Sequence, residues 1–220
     1  MKTTSSLLVA SCAALLWLAA PNLQAQVGKS LGVVDANTTA ETNLLKMAHM
    51  TPEIVKELVA KRPFTNIVEL NAFLLSKGLS ATNAMDFYKQ AFIHINLNTA
   101  TPAEILLVPG AGQRMVREFQ EYRPWTSFAQ FDREISKYVG QPETDRLKQY
   151  VFIPVKLNTA TTDDILSIPG AGQRMVREFN EYRPWTTKAQ FDREIGKYVD
   201  QKEVARLWRY LTIDPAPAQR

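Results

Sequence analysis

Cysteine is nearly absent from this chain of 220 residues: Cys12 is the only one, and His49 and His94 are the only histidines. Cys12 lies in the opening stretch MKTTSSLLVASCAALLWLAAPNLQA (Met1–Ala25), where Lys2 is the sole charge and the apolar run covers Leu7–Ala20. That run is shorter than the roughly 20 residues a membrane span needs. It ends in Pro21-Asn22 and then a small residue, Ala25, the pattern of a cleavable export signal. Val9–Cys12 (VASC) resembles a lipoprotein cleavage box, but the apolar run continues past it. Removal of residues 1–25 leaves no thiol, which excludes disulfides and cysteine–metal sites. Two isolated histidines give zinc no ligand set. The expectation is a periplasmic or secreted protein with no stable membrane span and no metal centre.

A lopsided charge is missing too. The formal charge is +4, or +3 without Lys2, with 25 basic residues against 22 acidic ones after residue 25. A surface that attracts polyanions must then come from arrangement rather than bulk charge. Catalytic signatures are also lacking: no histidine stands near a nucleophile and there is no P-loop. Asp163-Asp164 is a carboxylate pair, but it falls in the first turn of an expected helix, where acids favour the dipole. The chain is therefore read as a non-enzyme.

What the chain does have is repetition. Residues 97–153 and 157–213 agree at 40 of 57 positions. A third, worn copy lies upstream, where Asn37–Phe64 aligns without a gap on Asn98–Trp125. The expected organisation is a signal over 1–25, a degenerate copy over 26–95, full copies over 96–155 and 156–213, and a disordered tail over 214–220. Each copy reads as a string of short helices. Thr101-Pro102-x-Glu104 is a capping box with proline at the first helical position. Met115, Val116, Phe119 and Tyr122 mark one face of an amphipathic helix, and Ser127 caps the next. The links FIHINL (Phe92–Leu97) and FIPVKL (Phe152–Leu157) look extended, and no long alternating pattern predicts a sheet.

The eleven residues PGAGQRMVREF occur twice without change, at 109–119 and 169–179. A helix that ends in Pro-Gly-x-Gly and restarts at once forms a helix–hairpin–helix. Glycine allows positive φ and close approach. The restarting helix has unpartnered N–H groups and the positive end of its dipole at the turn, a site suited to phosphate. Arg114, Arg117, Arg174 and Arg177 lie in its first two turns, where they reach neighbouring phosphates without reading sequence.

The run NLNTATPAEILLVPGAG (Asn96–Gly112), with EYRPWTSFAQF (Glu121–Phe131), resembles the helix–hairpin–helix domain of the competence protein ComEA and its exported relatives. The resemblance is strong over 96–153 and 156–213 and weak over 31–95. It implies an all-α fold of tandem helix–hairpin–helix repeats of the SAM-like type, and nonspecific binding of double-stranded DNA outside the cytoplasmic membrane, in DNA uptake. The DNA-phosphate-binding residues it implies are Gly110, Ala111, Gly112, Arg114 and Arg117, with Gly170, Ala171, Gly172, Arg174 and Arg177. Hairpins of this type also hold a monovalent cation on backbone carbonyls; no other cofactor is expected. The family's second Gly-x-Gly turn is reduced here to YVGQPE (Tyr138–Glu143) and YVDQKE (Tyr198–Glu203).

Each feature has a plainer reading beside this one. The glycines serve tight helix packing, and the arginines pair four residues on with Glu118, Glu121, Glu178 and Glu181, at about 0.2–0.5 kcal/mol each. Trp125 and Trp185 read as core, because Phe64 takes their place upstream. Lys202, Arg206 and Arg209 form the most basic local cluster, on the outer side of the last helix. The alternative function is an extracytoplasmic scaffold that uses the same fold to bind another periplasmic protein.

Overall fold

Twelve short helices and six two-residue strands make up residues 32–213, the part of the chain that the computed structural model describes. The expected signal (1–25), residues 26–31 and the expected tail (214–220) lie outside the described residues. The first copy runs β1 (Val34–Asp35), α1 (Glu41–Leu44), α2 (Pro52–Lys61), α3 (Ile67–Ser76), α4 (Ala81–Tyr88) and β2 (Ala91–Phe92). The second runs β3 (Ile95–Asn96), α5 (Pro102–Leu106), α6 (Gln113–Glu121), α7 (Phe128–Val139), α8 (Gln141–Lys148) and β4 (Val151–Phe152). The third runs β5 (Val155–Lys156), α9 (Thr162–Leu166), α10 (Gln173–Glu181), α11 (Lys188–Ile195), α12 (Gln201–Trp208) and β6 (Leu211–Thr212).

The fold is mostly helical rather than wholly so. Each copy's opening strand pairs in parallel with its own closing strand: β1 with β2, β3 with β4, β5 with β6. Ile95 N donates to Tyr150 O at 2.9 Å and Leu97 N to Phe152 O at 3.0 Å, so the extended links close the copies they bound. A two-residue ladder is too short to print a period-2 pattern, which is why the sequence reads as all-α.

The helices begin where short polar side chains satisfy their first N–H groups. Thr101 accepts from Glu104 N, and Glu104 Oε2 accepts from Thr101 N at 2.8 Å, closing the expected box; Thr161 and Asp164 repeat it. Gly140, at φ 76°, is both the last cap of α7 and the first of α8, a one-residue turn between two helices. In the third copy Asp200 stands at that place, and its carboxylate caps α12 instead.

A clasp ties the two halves of every copy. Asn98 Nδ2 donates to Trp125 O at 2.9 Å and Asn98 Oδ1 accepts from Trp125 N at 2.6 Å. Asn158 does the same to Trp185, and Asn37 to Phe64. Arg123 adds bonds from Nε to Leu97 O (2.8 Å) and from Nη2 to Ala100 O (2.6 Å), matched by Arg183 on Leu157 and Ala160. The Arg–Pro bond before each clasped aromatic is cis. Trp125, Trp185 and Phe64 are buried in the core, as the sequence predicts. One apolar core runs through the first and second copies, and a second fills the third.

The third copy meets the first through a buried polar junction. Asp35 Oδ2 accepts from Tyr210 Oη at 2.7 Å and lies 3.4 Å from His94 Nδ1, while Asp35 Oδ1 accepts from Asn37 N at 2.7 Å. Arg209 Nη2 donates to His94 O at 3.1 Å. Burial would raise the Asp35 carboxyl; the contacts of His94 and Tyr210 and the charge of Arg206 outweigh it and hold it below its ordinary value.

Two predictions follow from these bonds. Asn98→Ala strips partners from the buried N–H and C=O of Trp125 and is expected to lower unfolding stability by about 2–4 kcal/mol, read by urea denaturation; a loss under about 0.5 kcal/mol would show that the clasp is dispensable. For Asp35, a depressed folded pKa contributes stability above the unfolded value of about 4, which is lost as pH falls through the folded value. Wild-type stability is therefore expected to drop below about pH 4, less steeply in Asp35→Asn. Identical acid limbs would remove Asp35 from the account.

Candidate nucleic-acid interface

The two glycines of each PGAG turn have different tasks. Gly110 and Gly170 take φ values of 80° and 78°, the left-handed region that other residues avoid. Gly112 and Gly172 are extended, at φ −112° and −117°, where any residue fits. A Cβ on Gly110 would lie 2.9 Å from Arg146 Nη2; one on Gly170 would lie 2.9 Å from Arg206 Nη2 and 3.1 Å from Thr38 Cγ2. A Cβ on Gly112 or Gly172 would meet nothing within 4 Å. The first glycine thus permits close packing, and the second keeps the mouth of the next helix clear.

That mouth is open. Eight of the twelve described helices receive a side-chain cap; α1, α6, α8 and α10 have none, and of these α6, α8 and α10 start at glycine. Among the described residues no acceptor engages the N–H groups of 113–115 or 173–175. Gly110, Gly112, Arg114 and Arg117 are exposed and Ala111 is half-buried, and Gly170, Gly172, Arg174, Arg177 and Ala171 repeat this. The turns therefore present unpaired donors, the positive end of a helix dipole and two arginines on one exposed edge. Val108 O and Gly112 O accept from Ala111 N and Val116 N. The carbonyls of Pro109, Gly110 and Ala111 accept no hydrogen bond among the described residues.

The expected four-residue arginine–glutamate pairs do not form. Arg114 Cζ stacks 4.8 Å from the centre of the Tyr138 ring, and Arg174 Cζ 4.9 Å from that of Tyr198. Glu118 and Glu178 turn inward and are 7% and 2% exposed, because they share the buried side of the helix with Met115 and Phe119 and with Met175 and Phe179. Arg177 bonds its immediate neighbour Glu178 through Nε and Nη2, and Arg117 has no ion pair among the described residues. The basic cluster placed on the outside of α12 is also corrected. Arg206 is 3% exposed and holds Glu203 with two bonds, and Arg209 is half-buried against Tyr210. Their spacing of three faces the first copy rather than solvent.

The worn copy has the same backbone with other chemistry. His49 occupies the position of Gly110 at φ 65°. Thr51 stands for Gly112 and caps α2 by accepting from Ile54 N; Pro52 has no N–H to offer, and Glu53 takes the place of Arg114. This helix end is closed and acidic.

Sequence reasoning missed Tyr138 and Tyr198. The available signal was their identical spacing, 24 residues after Arg114 and Arg174 in both full copies. It also missed a cleft of about 490 Å³ behind Pro109 and Gly110, bounded by Lys89, Glu143, Arg146 and Tyr150. Among the described residues no three His, Cys, Asp or Glu side chains converge as a metal site, and no helix is long and apolar enough to cross a membrane. The chain matches no protein-family model, no curated protein and no solved structure.

The two glycine roles predict a ranking of stabilities. Gly112→Ala and Gly172→Ala are expected to change unfolding free energy by no more than about 1 kcal/mol. Gly110→Ala incurs the left-handed penalty of about 1–2 kcal/mol and displaces Arg146. Gly170→Ala is expected to lose most, since the added Cβ meets both the buried Arg206 and the Thr38 methyl group. Equal losses at all four positions would refute the division.

Proposed function

We propose that the chain binds double-stranded DNA without sequence preference, as a helix–hairpin–helix protein of the ComEA-like kind, gripping backbone phosphates at the turns 109–112 and 169–172. The observation that carries this reading is the pair of uncapped, glycine-opened helix starts, each beside an arginine whose N–H groups have no partner among the described residues. The inward turn of Glu118 and Glu178 supports it, because two of the four carboxylates beside these arginines lie beneath the surface while Glu121 and Glu181 stay exposed. The closed, acidic start of α2 limits the grip to the second and third copies. A periplasmic or secreted site of action, in DNA uptake, belongs to the same proposal and rests on residues 1–25.

One observation favours the scaffold reading. Val68 and Leu75, one face of α3, are exposed at 38% and 41%, where the full copies have Ala129 and Ser136 or Ala189 and Gly196. That face suits a protein partner.

Titration of salt against the affinity for labelled duplexes of unrelated sequence separates the two. Contacts to two to four phosphates predict a log–log slope of about −2 to −4, equal for every sequence. Gly112→Val with Gly172→Val, at positions where an added Cβ meets nothing within 4 Å, are expected to weaken binding at least tenfold. Absence of binding at low salt would overturn the DNA reading in favour of a protein partner.

A further inference from the structure

Arg114 Cζ lies over the Tyr138 ring at 4.8 Å and Arg174 Cζ over the Tyr198 ring at 4.9 Å, and neither guanidinium makes a hydrogen bond or ion pair among the described residues. Arg177, by contrast, commits two of its nitrogens to Glu178. We infer that Tyr138 and Tyr198 are positioning residues that hold the Arg114 and Arg174 guanidiniums beside the open helix starts with their N–H edges free for a phosphodiester. The inference rests on the DNA reading above.

The tyrosines are themselves fixed from behind. The Tyr138 and Tyr122 hydroxyls bond at 2.8 Å, and those of Tyr198 and Tyr182 at 2.9 Å. Tyr122 packs on Trp125 and Tyr182 on Trp185, with ring centres 5.9 Å apart in both copies. The Tyr122 hydroxyl, partial burial and the Glu118 carboxylate raise the Tyr138 phenol above its ordinary value, and the Tyr182 hydroxyl, Glu178 and burial raise Tyr198.

The worn copy supplies an internal control. Glu57 stands where Glu118 does, but the place of Tyr138 is taken by Lys77, which pairs with Glu57, and the place of Tyr122 by Lys61. Arg114 is replaced there by Glu53. In the worn copy the glutamate is exposed and paired with Lys77, and the arginine and the tyrosine are both replaced.

The test uses the full chain and a labelled duplex. Tyr138→Leu with Tyr198→Leu is expected to weaken binding about tenfold, and Tyr138→Phe with Tyr198→Phe, which keeps the rings, to retain affinity within about threefold. In the Arg114→Ala, Arg174→Ala background the leucine changes are expected to have no further effect. A merely structural role would add the same loss in both backgrounds, and that result would overturn the inference. In the free protein, NMR relaxation of the arginine Nε–H groups is expected to show Arg114 and Arg174 more ordered than Arg117; equal mobility would overturn it as well. If the wild type binds no duplex, the DNA reading falls and takes the positioning role with it. If the wild type binds and the tyrosine losses add, only the positioning role falls.

Discussion

An asparagine that reaches 27 residues along the chain to hold both backbone groups of a buried aromatic residue sets the frame of every copy. Asn98 on Trp125, Asn158 on Trp185 and Asn37 on Phe64 join the loop before the first helix to the corner after the second. The constraint is one of satisfaction. The clasped N–H and C=O lie next to side chains in the core, where an unpaired polar group costs about 1–3 kcal/mol. With that loop and corner locked, the opening strand is brought alongside the closing strand, and the four helices between them share one interior. The quoted motif LNTA with RPW is therefore mainly scaffold: the asparagine, the arginine at 123 or 183 and the tryptophan all bond within the copy.

Because the clasp lies away from the turn, the turn is free to change its chemistry. The first copy demonstrates this. It keeps the asparagine bonds and a left-handed residue at position 49, yet its Arg62 makes neither carbonyl bond, leaving Nε and Nη2 buried without partners among the described residues. Its second helix is closed by Thr51 and Pro52 and made acidic by Glu53. The first copy also carries Asp35 and Thr38, which lie against Tyr210 and Gly170 of the third. The worn copy has become the one the third copy leans on.

Much of this was legible in the sequence. The copies, the helix starts at Thr101 and Ser127, the turn glycines and the buried tryptophans all leave local signals: a period, a cap, a dipeptide, a conserved bulk. What was not legible is set by contacts distant in sequence. Two-residue strands carry no period. The spacing of Arg206 and Arg209 marks one helix face without saying whether solvent or the first copy lies against it. The arginine–glutamate pairs failed for a different reason. A spacing of four makes a pair available, but Glu118 also lies on the apolar stripe of Met115 and Phe119, and burial of that stripe carries the glutamate inward with it. The tyrosine shelf then offers Arg114 a second partner that a helical wheel for α6 alone does not contain.

That last competition bears on how a chain with so little excess charge can present a basic edge. Net charge counts every residue equally, whereas a polyanion meets only the groups at the surface and only the donors not already in use. In this fold each turn points one glutamate inward, leaves Glu121 or Glu181 exposed, and places one arginine over a ring with its N–H donors unused. Because Glu118 and Glu178 turn under the helix instead of reaching forward to Arg114 and Arg174, those arginines keep their N–H donors beside the open helix start, and the two identical turns repeat the arrangement.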